Sequence, residues 1–171
     1  VFLQGMEIMF ELVEHFPNLK YIDMGSGFKI SYHSDDMETD IALLGKKVED
    51  AFLSFCKENN KELELWFEPG KYLVGKSGHF LVNANVIKQT TATVFVGVNS
   101  GFNHLIRPMF YDSYHIIENL SNPTGTERIY TVVGNICETD TFAWDRKLNE
   151  VREGDILVFR NAGAYGFEMS S

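Results

Sequence analysis

The chain has little positive charge and few cysteines. It carries 15 Lys and Arg residues against 24 Asp and Glu residues, which gives a formal net charge of −9. This acidic balance argues against nucleic acid or an anionic membrane surface as the main partner. Cys56 and Cys137 are the only cysteines. Two are too few for a disulfide framework, and they favour a reducing, cytoplasmic setting.

Long apolar runs and metal-binding patterns are also missing. No run approaches the roughly 20 residues needed to span a bilayer, and no metal-binding spacing surrounds His104 or His115. The chain nevertheless contains 44% hydrophobic and 13% aromatic residues over 171 positions. That content is enough for a folded core, in one domain or two small ones.

Neither end of the chain resembles a natural terminus. The first residue is Val1 rather than Met, and a predicted helix begins almost at once. The last residues, Met169 to Ser171, follow a Gly-rich turn without a closing element. We therefore expect the chain to be a piece of a longer protein.

The first part of the chain alternates helical and strand-like patterns. Apolar residues at three- and four-residue steps predict an amphipathic helix from Phe2 to Phe16 and a second helix from Ile41 onward. Short apolar runs at 19–24 and 63–67 predict buried strands. The order helix, strand, helix, strand predicts a parallel sheet covered by helices.

The remaining residues are strand-like and show no long helical pattern. We therefore place a domain boundary near residue 72, with the end of an α/β unit over 1–71 and an all-β domain over 72–171. The predicted strands are runs rich in β-branched and aromatic residues, at 80–88, 91–98, 114–118, 129–133 and 155–160.

Two loops of the α/β part follow predicted strands and carry candidate binding groups. Gly25-Ser26-Gly27 has small residues whose free N–H groups can cradle a phosphate; the alternative is a plain tight turn. Glu68-Pro69-Gly70-Lys71 begins with a carboxylate at the end of a strand, where catalytic groups of a (β/α)₈ barrel are found. The alternative for Glu68 is a solvated acid on a stiff bend.

In the β domain, three segments combine polar and aromatic side chains. Arg107 offers a planar fork for a carboxylate, and Tyr111 follows four residues later. Tyr165 is flanked by small residues that leave room for a ligand. The alternative for Arg107 and Tyr111 is a surface arginine with a packed tyrosine. The alternative for Tyr165 is a Gly-rich hairpin turn with one buried aromatic side chain.

The third segment, Cys137-Glu138-Thr139-Asp140, places a thiol and two carboxylates in four residues. It follows the apolar run 129–133, so that a strand leads into acid–base groups as at an active-site edge. An ordinary polar turn after a strand is the alternative.

Five motifs occur in order along the chain: Gly-Ser-Gly, Glu-Pro-Gly-Lys, Arg-Pro-x-x-Tyr, Cys-Glu-Thr-Asp and Ala-Gly-Ala-Tyr-Gly. This series resembles the C-terminal part of the diaminopimelate decarboxylase family, in the alanine-racemase-like group of pyridoxal-phosphate enzymes. The resemblance covers essentially the whole chain.

The resemblance implies a fold and an activity. Residues 1–71 would be the last β/α units of an (α/β)₈ barrel that binds pyridoxal phosphate, and residues 72–171 a truncated C-terminal β-barrel or sandwich domain. The family forms an obligate homodimer with active sites at the subunit interface. It decarboxylates meso-2,6-diaminopimelate to L-lysine, with pyridoxal phosphate as the electron sink.

The resemblance also assigns roles to residues of the cofactor site. Gly25, Ser26 and Gly27 match the phosphate loop. Glu68 matches the glutamate that keeps the pyridine nitrogen of the cofactor protonated. The cofactor-binding segment continues through Pro69, Gly70 and Lys71, and Tyr165 matches a tyrosine near cofactor and substrate.

Further matches concern the substrate. Arg107, Tyr111 and Glu138 match substrate contacts, joined by Lys71 and Tyr165. Arg107 and Glu138 supply the two charges that a second amino-acid end requires. Cys137 matches the cysteine that reaches the partner subunit's site and reprotonates the α carbon, a role that suits a thiol with an ordinary pKa near 8.5.

Some positions depart from the family pattern. Ser26 replaces a residue that is usually glycine. Lys71 stands where arginine is usual; it keeps the positive charge but lacks the guanidinium group that makes two parallel hydrogen bonds. One residue fewer separates Glu138 from Asp140, so the role of Asp140 is open. The family's cofactor-binding lysine lies upstream of this chain; Lys29, just past the phosphate loop, is expected to be solvated.

Two alternatives to diaminopimelate decarboxylation remain open. One is a sister decarboxylase acting on ornithine, arginine or carboxynorspermidine. The other is a non-catalytic homologue that keeps the fold and binds a protein partner, since fold alone does not fix function.

Overall fold

The computed structural model describes all 171 residues, which form two compact units. The first unit comprises residues 1–30 and 37–72, and the second comprises residues 31–36 and 73–171. The second unit therefore includes a short segment, 31–36, that lies in sequence between the two parts of the first.

The first unit packs two helices against a two-stranded parallel sheet. Its core joins Met6 and Val13 of the first helix to Ile22 of the sheet and to Val48 and Phe52 of the second helix. The elements are α1 (Phe2–Val13), β1 (Tyr21–Asp23), α2 (Ile41–Glu58) and β2 (Glu64–Trp66).

Both predicted helices and both predicted strands of this unit are confirmed. Helix α1 ends at Val13, earlier than the apolar pattern predicts. Pro17 disfavours helical geometry at the preceding residue, and the chain turns there. Helix α2 begins where predicted, because the Asp40 carboxylate accepts the Leu43 N–H at 2.9 Å and caps its first turn.

Strands β1 and β2 pair in parallel, with Tyr21 opposite Glu64 and Asp23 opposite Trp66. Parallel pairing aligns the carboxyl ends of both strands at one edge. Two strands cannot close a barrel, so an eight-stranded barrel is not present in this chain.

The second unit is built on a six-stranded sheet in the order β5-β8-β3-β4-β6-β7. All its pairings are antiparallel except the parallel pair β4–β6. The edge strands β5 and β7 approach within 8 Å between Cα atoms, so the sheet is nearly closed. The strands are β3 (Phe80–Gln89), β4 (Val94–Val98), β5 (Ile117–Asn119), β6 (Glu127–Val133), β7 (Thr141–Asn149) and β8 (Ile156–Phe159).

The core of the sheet is filled from the inner faces of these strands. Val96, Val132, Leu157 and Phe159 are fully buried, and the Tyr130 hydroxyl accepts the Val151 N–H at 3.1 Å inside the core. The five predicted strands are confirmed, with shifted ends. For example, β4 begins at Val94 because the Thr90 hydroxyl accepts the N–H groups of a tight turn just before it.

One strand and two short α-helices were not predicted. Strand β7 has no regular alternation of apolar and polar residues. Its Asp145 has a φ of +44°, and its register with β6 shifts near Tyr130. The short helices are only five residues long and show no helical period; they are α3 (Gly70–Val74) and α4 (Arg107–Tyr111).

None of the helices combines the length and the apolar character that a bilayer-spanning segment requires.

Candidate active site

The two loops at the carboxyl edge of the parallel sheet are joined by hydrogen bonds. The Glu68 N–H donates to the Gly25 carbonyl at 2.6 Å, and the Asp23 carboxylate accepts the Gly25 N–H at 2.8 Å. Strand pairing thus brings the predicted phosphate loop and the predicted ring-nitrogen partner to the same edge.

The Gly25–Gly27 loop leaves backbone donors free. Gly25 and Gly27 have φ values of +62° and +109°, which glycine adopts without strain, and no atom lies within 4 Å of a Cβ built on either. The N–H groups of Ser26 and Gly27 make no hydrogen bond. Free N–H groups facing open space suit an anion such as a phosphate.

Glu68 is exposed at the end of β2, where its carboxylate makes no hydrogen bond or ion pair within the chain. The bend after it forms by donation from the Gly70 N–H to the Glu68 carbonyl at 2.9 Å. This bend does not require a glycine, because Gly70 has no positive φ and there is open space at its Cβ. Pro69 and Gly70 lead directly into α3, on which Lys71 is half-buried.

Arg107, Tyr111 and Tyr165 come together in the second unit. The Arg107 guanidinium carbon lies 5.9 Å from the Tyr111 ring centroid and 5.5 Å from the Tyr165 centroid. The Nη2 group donates to the Ser113 hydroxyl at 3.2 Å, while Nε is buried and has no partner. Two aromatic faces therefore hold a cation that keeps donor capacity for an incoming anion.

The backbone around this cluster is unusual at Tyr165, which has a φ of +56°. A non-glycine residue with this conformation is uncommon and is held by its surroundings. Gly163 permits the local packing, since a Cβ there would overlap the Val74 carbonyl. The small residues beside Tyr165 thus serve close backbone packing, and the ring itself is about half exposed.

Cys137, Glu138 and Thr139 are exposed on the loop between β6 and β7. Neither Cys137 nor Glu138 makes a hydrogen bond or ion pair within this chain. Both side chains are therefore available to groups outside it. Asp140 differs from its neighbours, because it is 5% exposed and accepts two backbone N–H groups.

The family model for the C-terminal sheet domain of pyridoxal-dependent decarboxylases matches residues 28–163. The chain belongs to this family. The diaminopimelate decarboxylase of Methanothermobacter thermautotrophicus is 40% identical over 156 residues, which cover 89% of this chain and 36% of that protein. This chain thus spans little more than a third of that relative's length.

Solved structures of decarboxylases share the fold. A crystal structure of diaminopimelate decarboxylase matches 99% of this chain and 44% of its own, with a TM-score of 0.92 and 31% identity. The diaminopimelate decarboxylase of M. jannaschii in co-complex with L-lysine matches 97% of this chain and 38% of its own, with a TM-score of 0.86 and 30% identity.

The residues of this chain fit pyridoxal phosphate, the cofactor that gives the family its name. The cofactor carries a phosphate, and the free N–H groups of Ser26 and Gly27 can receive it. Glu68 is an unpaired carboxylate on the adjoining loop and can accept from a protonated ring nitrogen. No group of three or more His, Cys, Asp or Glu residues is placed to hold a metal ion.

Sequence reasoning did not predict two side-chain contacts beside the candidate site residues. Ser113 supports Arg107 through its hydroxyl, and it lies just after the left-handed residue Asp112 that ends α4. The Asp140 carboxylate binds the backbone at Phe102. No local motif predicts either contact, because both depend on how the chain turns back in three dimensions.

His115 is a buried polar residue near the Arg107 cluster. Its Nδ1 lies 2.8 Å from the Arg160 carbonyl, which can only accept, so Nδ1 carries a proton. Burial lowers the pKa of His115, the hydrogen bond to the Arg160 carbonyl opposes this, and the charges of Arg107 and Arg146 lower the pKa further. The folded protein therefore favours the neutral ring.

The lowered pKa of His115 predicts a pH-dependent stability. Below about pH 6.5 the unfolded state binds a proton that the folded state rejects, so stability is fully present above that pH and is lost as the pH falls toward the folded pKa. We expect the melting temperature of the full-length protein to fall between pH 7.5 and 5.5, and to fall less in His115→Gln. Thermal unfolding at several pH values measures this.

The matched control is His15→Gln, because His15 is exposed just after α1. In this variant the melting temperature should fall with pH as steeply as in the unmodified protein. An unchanged slope in His115→Gln would contradict the prediction.

Proposed function

We propose that the full protein carrying this chain decarboxylates meso-2,6-diaminopimelate to L-lysine. The observation that carries the proposal is the charge arrangement of the sheet domain: Arg107 is held between two tyrosine rings with an unpartnered Nε, and Glu138 is exposed beside Cys137. A substrate with a second amino-acid end requires a positive side chain for its carboxylate and a negative one for its ammonium group. Several relatives at 31–40% identity carry the name diaminopimelate decarboxylase, which supports the same substrate.

In this proposal the first unit is the last part of an (α/β)₈ barrel that binds pyridoxal phosphate. Ser26 and Gly27 bind the phosphate through their N–H groups, and Glu68 accepts a hydrogen bond from the ring nitrogen. Lys71 adds positive charge near the phosphate. When bound, the cofactor supplies the electron sink that makes loss of CO₂ feasible.

The sheet domain binds and orients the substrate. Arg107 pairs with the distal carboxylate, with Tyr111 and Tyr165 packed against its guanidinium. Glu138 accepts from the distal ammonium group. After CO₂ has left, the Cys137 thiol donates its proton to the α carbon as a general acid.

The proposed assembly is a cytoplasmic homodimer with the active site at the subunit interface. Exposure of Cys137 and Glu138, without bonds in their own chain, is consistent with their action in a partner's site. Neither nucleic acid nor a membrane takes part in this proposal, in keeping with the net charge of −9.

A substrate comparison on the full-length protein tests the proposal. We expect kcat/KM for meso-diaminopimelate to exceed that for ornithine, arginine and carboxynorspermidine by about 10²-fold or more, because a buried charge pair contributes a few kcal/mol. Preference for ornithine would favour the sister decarboxylases. Failure to take up pyridoxal phosphate, seen as no visible absorbance after reconstitution, would favour a non-catalytic homologue.

A further inference from the structure

Asp140 has an environment unlike that of the other acidic residues near the proposed site. One carboxylate oxygen, Oδ1, accepts the Phe102 N–H at 2.8 Å, and the other, Oδ2, accepts the Ile136 N–H at 3.0 Å. The Asp140 carbonyl also accepts the Gly134 N–H at 2.7 Å. One buried residue thereby binds both the start of its own loop and a distant turn.

Two glycines make room for this carboxylate. A Cβ at Gly101 would lie 2.6 Å from Asp140 Oδ2, and a Cβ at Gly134 would overlap the carboxylate itself. Neither glycine has a positive φ. The approach of Asp140 therefore explains the absence of a side chain at Gly134, and Asp140 together with Ile136 explains it at Gly101; backbone conformation requires a glycine at neither position.

The two groups that Asp140 binds lie next to residues of the proposed site. Ile136 directly precedes Cys137, and the turn at Phe102 leads toward Arg107 at the start of α4. The Asn135 N–H also donates to the Ser100 carbonyl at 3.0 Å, beside the same turn. The loop that exposes Cys137 and Glu138 is thus fixed at its base to the segment that leads to Arg107.

We infer that Asp140 is a positioning residue of the decarboxylase: it fixes the loop that presents Cys137 and Glu138. The inference rests on the proposed function for the roles of those two residues. Each buried N–H needs an acceptor, and a carboxylate supplies two where an amide supplies one. Cys137 itself has no anchoring bond, so its position depends on this base.

The first test replaces Asp140 in the full-length holoenzyme. Asp140→Asn keeps the size of the side chain, but one of the two backbone N–H donors, that of Phe102 or Ile136, then faces the NH₂ group of the amide. Gly134→Ala leaves the carboxylate chemically intact and displaces it. We expect both variants to lower kcat about 10-fold or more, the scale of a misplaced catalytic group, with unchanged cofactor absorbance. Steady-state kinetics and absorbance spectra measure this.

A double-mutant cycle separates positioning from general stability. If Asp140 acts through Cys137, then Asp140→Asn should lower kcat at saturating substrate by less than about twofold when Cys137→Ala is already present, because coupled residues are not additive. Any effect that passes through Glu138, a proposed substrate contact, should appear in KM. A merely structural residue would lower kcat by the same factor in both backgrounds.

Matched controls come from groups outside the site. Asp155 accepts an Asn119 side-chain N–H at 2.8 Å and the Arg152 N–H at 2.9 Å in the same domain, and Gly45 has open space around its Cβ in α2. Asp155→Asn and Gly45→Ala should leave kcat within about twofold of the unmodified enzyme, as expected for sites with no contact to the loop.

Each outcome decides the question. Unchanged kcat in both Asp140→Asn and Gly134→Ala, or equal losses with and without Cys137, would overturn the inference. Failure of both variants to fold would also overturn it, because Asp140 would then be a determinant of folding. If Cys137→Ala itself leaves turnover unchanged, the proposed role of Cys137 fails instead.

Discussion

Cys137→Ala in the full-length dimer is expected to lower turnover about 10²-fold or more, the usual scale for loss of a general acid. Cofactor absorbance should be unchanged, because none of the proposed cofactor contacts, which are the N–H groups of Ser26 and Gly27 and the carboxylate of Glu68, involves Cys137. Steady-state turnover of meso-diaminopimelate, measured beside the absorbance spectrum, tests both parts.

Cys56→Ala is the matched control. Cys56 is half-buried on α2 and packs against the core of the first unit, so its loss should affect stability slightly and turnover by less than about twofold. Unchanged turnover in Cys137→Ala, with Cys56→Ala equally active, would remove Cys137 from the mechanism.

Local patterns explain why most elements were predictable. The helices α1 and α2 and the strands β1 to β6 and β8 carry apolar periods or β-branched runs that persist over their length. Strand β7 does not, because Asp145 in left-handed geometry interrupts the alternation. Helix α4 is only five residues long, too short to show a helical period, so the sequence predicts no helix at Arg107.

The site was predictable as a set of residue types but not as an arrangement. The sequence placed Asp140 beside Cys137, as one more group of a polar turn. The structure buries it, because its partner at Phe102 lies far away in the chain. Likewise, the contact of Arg107 with Tyr165 depends on the return of the chain after β8. Spacing along a sequence contains no information on such contacts.

Arg107→Leu is the second variant with a large expected effect. Removing one partner of a desolvated charge pair costs about 2–5 kcal/mol, which corresponds to a loss of about 30-fold or more in kcat/KM for diaminopimelate. Most of the loss should appear as a raised KM, since in the proposed function Arg107 binds the distal carboxylate in both the ground state and the transition state. Steady-state kinetics on the full-length enzyme measures how the loss divides between KM and kcat.

Arg107→Lys separates charge from geometry. Lysine keeps the positive charge but loses the planar fork and the second donor that now contacts Ser113. We therefore expect an intermediate loss of about 10-fold, because a bidentate pair becomes a single contact. A lysine variant as impaired as Arg107→Leu would show that the fork, rather than the charge, recognises the carboxylate.

Arg128→Leu is the control for removal of an arginine from the same sheet. Arg128 is exposed and pairs with Glu150 at 3.3 Å, an arrangement that contributes about 0–1 kcal/mol. Its kcat/KM should stay within about twofold of the unmodified enzyme. If Arg107→Leu behaves like Arg128→Leu, then Arg107 does not bind substrate. Its position between Tyr111 and Tyr165 would then be a packing contact, because two aromatic faces stabilise a guanidinium whether or not a ligand is present.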